Sequence, residues 1–247
     1  SKLTSEYLYW LYCENPAGQV IGYDAFSDGK LIAHYSVIPK KYEFRGAEYL
    51  GALSVNTATH PAHQGKGLFV QLAKHTYQLA ADGGCKFIIG VANANSVGGF
   101  TRKLGFNEIA NVRLLISNHV PSEPGSNLKA KIDDSWLKWR LANPSRSYRL
   151  IKKIRGQVTV QTKIKGIWFN IFTGPKVYFD RLENIDLGVS LVPGLTPFYC
   201  SKMPISFKLP KFLSPSPWHL IWKDLDGDLP KDIQRHLSVI GIDMDTF

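Results

Sequence analysis

Two glycines flank a lysine where the sequence pattern changes from strand to helix. Gly65 and Gly67 lie in 59-THPAHQGKGLF-69, directly before the amphipathic run 70-VQLAKHTYQLAADGG-84. Glycine weakens both helices and strands, but it permits left-handed dihedrals in which successive N–H groups turn inward and form a concave anion site. A helix beginning at about Lys66 would direct its first unpaired amides and its positive dipole end toward the same place. The pattern therefore predicts a backbone phosphate site at a strand-to-helix junction.

The residues after the glycines exclude two common nucleotide-binding loops. The nucleotide-triphosphatase loop ends in Lys followed by Ser or Thr, whereas Gly67 is followed by Leu68 and Phe69. The spacing also differs from the dinucleotide-binding fingerprint. We therefore expect neither a kinase nor a dehydrogenase.

Along the first half of the chain, the spacing of hydrophobic residues changes repeatedly between that of a strand and that of a helix. Asp28-Gly29 predicts a hairpin, and Pro39-Lys40-Lys41 predicts a turn between the next two strands. The continuous apolar run at 85–92 is typical of a buried central strand. An α/β fold with a mixed sheet follows, in which an antiparallel meander passes into a β-α-β crossover. The predicted elements are a helix at 3–13, strands at 19–27, 31–38, 42–50 and 51–59, a helix at 66–81, a strand at 85–92, a helix at 97–103 and a strand at 106–116.

A segment rich in turn-forming residues, 120-VPSEPGSN-127, separates this unit from the rest of the chain. We predict a first domain at 1–118 and a second α/β subdomain at 128–247. The second begins with a helix around Trp136 and continues into an extended region at 157–172.

Composition restricts the class of protein. The chain has 247 residues, of which 44% are hydrophobic, and no apolar run reaches the roughly 18 residues that a membrane span needs. We expect a cytoplasmic protein whose native start is trimmed, since Ser1 comes first. The three cysteines are far apart, so we expect them to be reduced and buried, and we expect no metal site.

Positive charge is concentrated in the second half. Lys and Arg number 30 against 20 Asp and Glu, and eleven of the basic residues lie in 129–165 with two acidic ones. Two interpretations stay open: a solvated face that maintains solubility, or a positive wall that attracts an anionic partner.

Two segments resemble the GNAT N-acetyltransferase superfamily. The run 61-PAHQGKGL-68, after a strand and opening a helix, resembles motif A, Gln/Arg-x-x-Gly-x-Gly/Ala. The run 93-NANSVGGFTRKLGF-106 resembles the motif B region, where an Asn and a closing Leu-Gly-Phe flank a short helix. The resemblance covers about 19–116, and it implies an acyltransferase that uses acetyl-coenzyme A or another acyl-coenzyme A.

The resemblance also implies a donor site with three parts. The loop amides would wrap the pyrophosphate, the end of the preceding strand would pair with the pantetheine arm, and two motif B residues would approach that arm. The implied coenzyme A-binding residues are Thr57, Ala58, Thr59, Gln64, Gly65, Lys66, Gly67, Leu68, Phe69, Asn95 and Phe100. Two alternatives stay open: Asn95 as a helix N-cap, and Phe100 as a core residue.

The sequence departs from the family pattern at several positions. Phe69 stands where motif A usually has Gly or Ala, so the helix is expected to pack less closely on its strand. Thr101 occupies the position where many relatives carry a tyrosine that protonates the leaving thiolate, and a threonine hydroxyl is a far weaker acid.

No glutamate lies on the strand at 51–59 to act as a general base. The catalytic candidates are Asn56, which can orient a water molecule but cannot take a proton, and His60, the nearest side chain able to exchange a proton near neutral pH. The alternative for His60 is a turn histidine that is hydrogen-bonded to backbone.

The second half bears on the acceptor. The runs 136-WLKWRLANPSRSY-148 and 241-GIDMDTF-247 resemble two-domain GNAT proteins of surface-polysaccharide and amino-sugar pathways. This half would then be a degenerate second copy of the fold, because it contains no second Gly-x-Gly loop. Such a resemblance implies a small amine acceptor, for which a nucleotide-linked amino sugar would suit the basic and aromatic residues.

Two other classes of protein remain open. One is a binder of nucleic acid or an anionic surface, favoured by the pI of about 9.4, although no recognisable nucleic-acid motif accompanies the charge. The other is an aminoacyl-transferase of the peptidoglycan-bridge type, which takes its donor from transfer RNA and generally lacks an intact pyrophosphate loop.

Overall fold

A computed structural model describes residues 3–117, 128–152, 157–164, 166–175, 194–198, 207–208 and 218–237. The predicted linker at 120–127, the run 241–247 and Cys200 lie outside these residues. The helices are α1 (Ser5–Cys13), α2 (Leu68–Asp82), α3 (Val97–Leu104) and α4 (Asp134–Leu141). The strands are β1 (Ile21–Ser27), β2 (Lys30–Phe44), β3 (Ala47–Thr59), β4 (Phe87–Ala92), β5 (Asn107–Ser117), β6 (Lys129–Ala130), β7 (Tyr148–Lys152), β8 (Gln157–Ile164), β9 (Ile167–Pro175), β10 (Gly194–Phe198), β11 (Phe207–Lys208) and β12 (Trp218–Asp224).

The described residues form one large mixed sheet and one small antiparallel sheet. The large sheet has the strand order β1-β2-β3-β4-β12-β5-β10, with β6 added to β2 and β11 added to β5. Its neighbours are antiparallel except β3 and β4, which are parallel and joined through α2. The predicted α/β fold with a meander and a crossover is therefore confirmed.

The two faces of the large sheet are covered by different helices. Tyr35 belongs to the hydrophobic cluster formed with α2 and α3. Ile38 belongs instead to a cluster with Trp10 and Leu11 of α1. Because successive strand residues point to opposite faces, α1 lies on the face opposite to α2. His34 shares the face of Ile38 by the same alternation.

The predicted turn at Pro39-Lys40-Lys41 is wrong. β2 runs through it to Phe44, and the chain reverses at Arg45-Gly46, where φ is 50° and 82°. Proline has no N–H to donate to a neighbouring strand, so it fits a strand only where that side is unpaired. Pro39 is tolerated because β1 begins at Ile21 opposite Val37, so Pro39 has no partner on the β1 side.

The helix predictions are confirmed to within two residues. α1 is capped by Thr4, whose Oγ1 accepts a hydrogen bond from Tyr7 N at 3.2 Å. α2 begins two residues later than predicted and ends one residue later. α3 ends at Gly105, which adopts φ of 68° and closes the last turn with a hydrogen bond from its N–H to Phe100 O.

Elements beyond residue 127 join both sheets. β12 lies between β4 and β5 and pairs with both. By contrast, α4 packs on the sheet β7-β8-β9 around a cluster of its own that includes Leu137, Val160 and Phe172. The division into 1–118 and 128–247 stays a prediction, and any division of this chain must assign β12 to the sheet of the first half.

Two tryptophans join α1 to α4. Trp10 Nε1 donates to Trp139 O at 2.6 Å, and Trp139 Nε1 donates to Trp10 O at 2.9 Å. Their rings are stacked with centroids 4.7 Å apart. Reciprocal bonds of this kind satisfy both indole donors while the rings exclude water, so α4 is fixed against the first half of the chain.

The two cysteines in the described part of the chain have different environments. Cys85 is buried, and burial raises its pKa to about 11. Cys13 is exposed, so the prediction that all three cysteines are buried is wrong for this residue. No group of three His, Cys, Asp or Glu side chains in the described ranges could hold a metal ion. None of the helices described is both long and apolar enough to span a bilayer.

Candidate active site

The glycines of the loop adopt left-handed backbone conformations. Gly65 has φ of 76° and Gly67 has φ of 80°. A Cβ added to either residue would meet no atom within 4 Å. The main chain here thus presents an open side on which a ligand could contact the backbone directly.

The loop leads into the N-terminus of α2. The first backbone hydrogen bond of the helix runs from Gln71 N to Gly67 O at 3.1 Å. The amides of Leu68, Phe69 and Val70 come before that bond and have no acceptor within the helix. They add to the positive end of the helix dipole, which favours an anion at this position.

Gln64 helps to close the loop. Its Nε2 donates to Thr59 O at 3.3 Å, and its backbone N donates to Pro61 O at 3.3 Å. Lys66, between the two glycines, is exposed. The six residues from Gln64 to Phe69 therefore form a compact turn, with the lysine head in solvent.

β3 and β4 separate before β3 reaches this loop. They pair only from Gly51 to Leu53 with Phe87 to Ile89. Beyond Leu53, β3 pairs with β2 alone, up to Thr59 opposite Ala33. β4 stays paired with β12 as far as Ala92. The β4 side of residues 54–59, including Thr57 and Ala58, is therefore an edge between diverging strands that can accept an extended ligand.

Asn56 lies at a bulge in this edge. It has φ of 49°, a conformation that asparagine tolerates better than most residues. The β2–β3 register shifts here, so Asn56 and Thr57 together oppose Tyr35. The side chain of Asn56 is held in place, since its Nδ2 donates to Tyr12 Oη at 2.9 Å.

Tyr12 connects Asn56 to a histidine–aspartate pair. Its hydroxyl lies 3.1 Å from His34 Nε2 and 3.3 Å from Ser36 Oγ. His34 Nδ1 lies 2.5 Å from Asp24 Oδ1. Sequence reasoning missed Tyr12, His34 and Asp24, although Asp24 and His34 flank the predicted hairpin turn.

The turn before α3 is organised by Asn93. Its Oδ1 accepts hydrogen bonds from Asn95 N and Ser96 N, both at 3.0 Å. Ser96 is the N-cap residue of α3, so capping does not account for Asn95. The Asn95 side chain is exposed beyond the carboxyl end of β4.

Phe100 lies in the core between the sheet and two helices. Its ring centroid is 5.1 Å from that of Phe69, 5.2 Å from that of Phe106 and 6.3 Å from that of Tyr35. Core packing therefore accounts for Phe100, and a contact with pantetheine stays a prediction. Phe69 lies against Gly99 of α3, and its ring centroid is 5.8 Å from that of Tyr35 on β2. The looser packing of α2 on its strand stays a prediction.

Thr101 and His60 are both engaged with the main chain. Thr101 Oγ1 donates to Val97 O at 2.9 Å, within α3. His60 Nδ1 accepts from Ala62 N at 3.3 Å and caps the short turn at 61–63. The alternative of a backbone-bonded turn histidine therefore describes the geometry of His60, and a catalytic role for it stays a prediction.

Two buried tyrosines meet in the core between the large sheet and α2. Tyr35 Oη is 3.0 Å from Ser54 Oγ and 3.0 Å from Tyr77 Oη. Burial raises the pKa of Tyr35 to about 12, and it also raises the pKa of Tyr77. Neither phenol is suited to donate a proton to a thiolate near neutral pH.

The basic residues of 129–165 have several different environments. Lys131 forms an ion pair with Glu48, and Arg140 is buried with its guanidinium 6.0 Å from the Trp10 ring centroid. On the small sheet, Arg149 lies 4.3 Å and Lys163 5.9 Å from the ring centroid of Trp168. The described part of this region thus contains one cluster of two cations around an indole ring.

Comparison with known proteins agrees with this geometry. A family model described as the acetyltransferase (GNAT) domain matches residues 11–109. Among curated protein sequences, no significant match was found.

Solved structures share the fold at low sequence identity. A protein from Enterococcus faecalis V583, described as a conserved protein of unknown function and probable N-acyltransferase, is 12% identical with a TM-score of 0.60, over 91% of this chain and 66% of that one. Eis1 from Mycobacterium abscessus is 11% identical with a TM-score of 0.52, over 90% and 70% of the two chains. A GCN5-related N-acetyltransferase from Kribbella flavida is 12% identical with a TM-score of 0.54, over 83% and 60%.

The chain thus spans about two thirds of the length of the E. faecalis protein. The resemblance to two-domain proteins of polysaccharide pathways stays a prediction. What the comparisons establish is a GNAT acetyltransferase domain match across residues 11–109, within a chain whose fold is shared with solved N-acyltransferase-like structures.

Proposed function

We propose that this protein is an N-acyltransferase that moves an acetyl or other short acyl group from acyl-coenzyme A to a small amine. The observation that carries the proposal is the left-handed Gly65–Gly67 loop at the N-terminus of α2, which follows the strand edge that β3 leaves open beyond its pairing with β4. A phosphate site and an open strand edge at the same end of the sheet suit the two halves of coenzyme A.

The pyrophosphate is the group that suits the loop. The amides from Gln64 to Phe69 include those that come before the first helical hydrogen bond. Backbone N–H groups and a helix dipole bind a doubly charged diphosphate without needing basic side chains. Lys66 is exposed and adjacent, so its ammonium can reach outlying phosphates.

The pantetheine arm suits the edge of β3. It carries two amides, and the backbone of residues 57–59 faces the gap left by β4. Pairing like an added strand would place the thioester near Asn56, at the inner end of that gap. Asn95 follows the end of β4 and is exposed, so its amide would be available to bond the arm.

The reaction requires an uncharged amine close to the thioester carbonyl. The amine nitrogen attacks the carbonyl carbon, the new C–N bond forms, and the C–S bond breaks as the thiolate leaves. The amine gives up one proton and the thiolate takes one, so no cofactor is consumed. Positioning two reactants in one gap can supply a large part of such a rate enhancement.

The acceptor we favour is an amine that also carries phosphate, such as a nucleotide-linked amino sugar. Arg149 and Lys163 can bind a diphosphate, and Trp168 provides an aromatic surface in the same cluster. The intact glycine loop favours coenzyme A over a transfer-RNA donor, and it therefore argues against an aminoacyl-transferase.

Product analysis by mass spectrometry tests the reaction. The protein is incubated with acetyl-coenzyme A and a panel of primary amines that includes UDP- and dTDP-linked amino sugars, free amino sugars and diamines. We expect one class to gain an acetyl group with release of one equivalent of coenzyme A thiol. Binding of coenzyme A without acetylation of any amine would contradict the proposed transfer, and no binding at all would contradict the donor site.

A further inference from the structure

We propose that Tyr12, His34 and Asp24 form a proton relay that accepts the proton of the acceptor ammonium. The inference rests on the proposed function, and it assigns the general base that the sequence pattern lacks. The three side chains come from α1, β2 and β1, and they converge on Asn56 at the bulge of β3.

We assign the hydrogen-bond directions from the Asn56 end of the network. Asn56 Nδ2 is a donor only, so the Tyr12 oxygen accepts from it at 2.9 Å. The phenolic proton is then directed to an acceptor; His34 Nε2 lies 3.1 Å away and Ser36 Oγ 3.3 Å away, and the relay uses the shorter contact. The carboxylate of Asp24 can only accept, so His34 Nδ1 carries a proton toward it at 2.5 Å.

One tautomer of neutral His34 satisfies the contacts with Asp24 and Tyr12 together. With the proton on Nδ1, the imidazole donates to Asp24 and leaves the Nε2 lone pair for Tyr12. Ser36 Oγ, 3.1 Å from Nε2, has another acceptor in Val55 O at 3.3 Å. The carboxylate thus orients the ring in the manner of an aspartate–histidine pair in nucleophilic catalysis.

The proposed step conserves protons. The ammonium of the acceptor gives a proton to the Tyr12 oxygen, while the Tyr12 hydroxyl proton moves to His34 Nε2. The products are a neutral amine and an imidazolium paired with the Asp24 carboxylate. The His34 and Asp24 side chains are 23% and 44% exposed, so the proton can then pass to solvent.

The position of the network agrees with an acceptor-side role. Asn56 lies where β3 has left β4, on the same edge that would receive the pantetheine arm. Tyr12 and His34 lie on the α1 face of the sheet, whereas α2 and its loop lie on the opposite face. The acceptor amine and the donor thioester would therefore meet through the gap from opposite faces.

The titratable groups that face His34 have to be considered when a pH profile of kcat/KM is interpreted. Asp24 faces it from β1, and Tyr12 faces it from α1. From β3 the residue opposite is Ala58, which does not titrate.

The kinetic test uses Tyr12→Phe, with Tyr9→Phe on the exposed side of α1 as the matched control. With acetyl-coenzyme A and the best amine from the panel, we expect Tyr12→Phe to lower kcat/KM for the amine about a hundredfold at pH 7. The deficit should shrink as the pH rises, because more amine is already neutral, and the donor KM should not change. An equal loss at all pH values would assign Tyr12 a purely structural role and overturn the relay.

A spectroscopic test does not depend on any acceptor. ¹⁵N NMR of histidine-labelled protein should show neutral His34 protonated on Nδ1 and unprotonated on Nε2. Asp24→Asn replaces the acceptor with an amide that can donate, so the proton should move to Nε2. The opposite tautomer in the wild type would overturn the proposal. Loss of coenzyme A binding in calorimetry would instead contradict the proposed function and leave the tautomer result standing.

Asn56 offers a second, independent variant. Asn56→Asp turns the donor at this position into an acceptor that competes with His34 Nε2 for the Tyr12 proton. We expect it to lower kcat/KM about as much as Tyr12→Phe, while Asn56→Gly, which keeps the left-handed backbone, should cost less. A harmless Asn56→Asp would contradict the stated bond direction.

Discussion

The ring of Phe69 lies directly against Gly99, so closely that a Cβ on Gly99 would stand 3.0 Å from Phe69 Cε1. A bulky residue at the start of α2 is thus matched by a missing side chain on α3. The same phenylalanine is the last residue of the proposed phosphate loop, so this packing contact also supports the donor site.

Gly99→Ala is expected to lower the free energy of unfolding by about 1 kcal/mol or more, because overpacking outweighs the gain in helix propensity. Gly98→Ala is the control, since its Cβ would meet only the Arg102 guanidinium, which can move away. It should be neutral or stabilising. Denaturant unfolding measures both, and Phe69→Leu should rescue Gly99→Ala in a double-mutant cycle. Additive effects of the two substitutions would contradict the proposed contact.

Alkaline pH should destabilise the fold through its buried acids. Burial raises the pKa of Tyr35 to about 12 and that of Cys85 to about 11, both above their unfolded values. The unfolded chain loses these protons first, so stability is complete below the unfolded pKa values and falls as the pH rises through the folded ones. We expect the free energy of unfolding to fall by about 1.4 kcal/mol per pH unit for each such group.

Unfolding in guanidinium chloride at pH 9 and pH 11 measures this fall. Cys85→Ala should make the fall in unfolding free energy between pH 9 and pH 11 smaller, by about the contribution of one titrating group. An unfolding free energy that is constant across this range would show that Tyr35 and Cys85 do not titrate with the shifts described.

Thr101 is predicted not to be the catalytic acid, although it occupies the tyrosine position of the resemblance. Its hydroxyl is already donated to Val97 O within α3. Thr101→Ala should lower kcat by less than the roughly hundredfold expected for a true proton donor, and Thr101→Ser, which retains the hydroxyl, serves as the comparison. A hundredfold loss of kcat in Thr101→Ala but not in Thr101→Ser, with coenzyme A binding intact, would show that Thr101 is the catalytic acid.

The Arg149–Lys163–Trp168 cluster is predicted to bind the anionic part of the acceptor. The double variant Arg149→Ala, Lys163→Ala should raise the KM for a phosphate-bearing amine about tenfold, at an unchanged donor KM. Lys30→Ala with Lys74→Ala removes the same charge from exposed positions of the first half and should change neither value. If both double variants keep the wild-type acceptor KM, the cluster is only part of a solvated face.

The local features of the fold were predictable because their signals are local. Gly65, Gly67 and Gly105 were assigned to turns from the sequence alone, and each adopts positive φ. The apolar run at 85–92 predicts β4 for the same reason. In each case the determining residues lie within one turn or one strand of the feature.

The features that were missed depend on distant parts of the chain. The sequence at Pro39 predicts a turn. The strand continues through it because β1 begins opposite Val37 and leaves Pro39 without a partner on that side. β12 reaches the centre of the sheet from more than a hundred residues beyond β5. Asp24 and His34 become partners only because a bulge between Ala25 and Phe26 shifts the hairpin register by one residue.

The central claim is that the Gln64–Phe69 loop binds the pyrophosphate of acyl-coenzyme A, and isothermal titration calorimetry with coenzyme A tests it most directly. The variant is Gly67→Val, and its control is Gly46→Val. These glycines have φ of 80° and 82°, and neither has an atom within 4 Å of an added Cβ, so both substitutions introduce the same backbone strain. We predict that Gly67→Val weakens coenzyme A binding at least tenfold, about 1.4 kcal/mol, while Gly46→Val binds like the wild type. A folded Gly67→Val variant with wild-type affinity would contradict the claim.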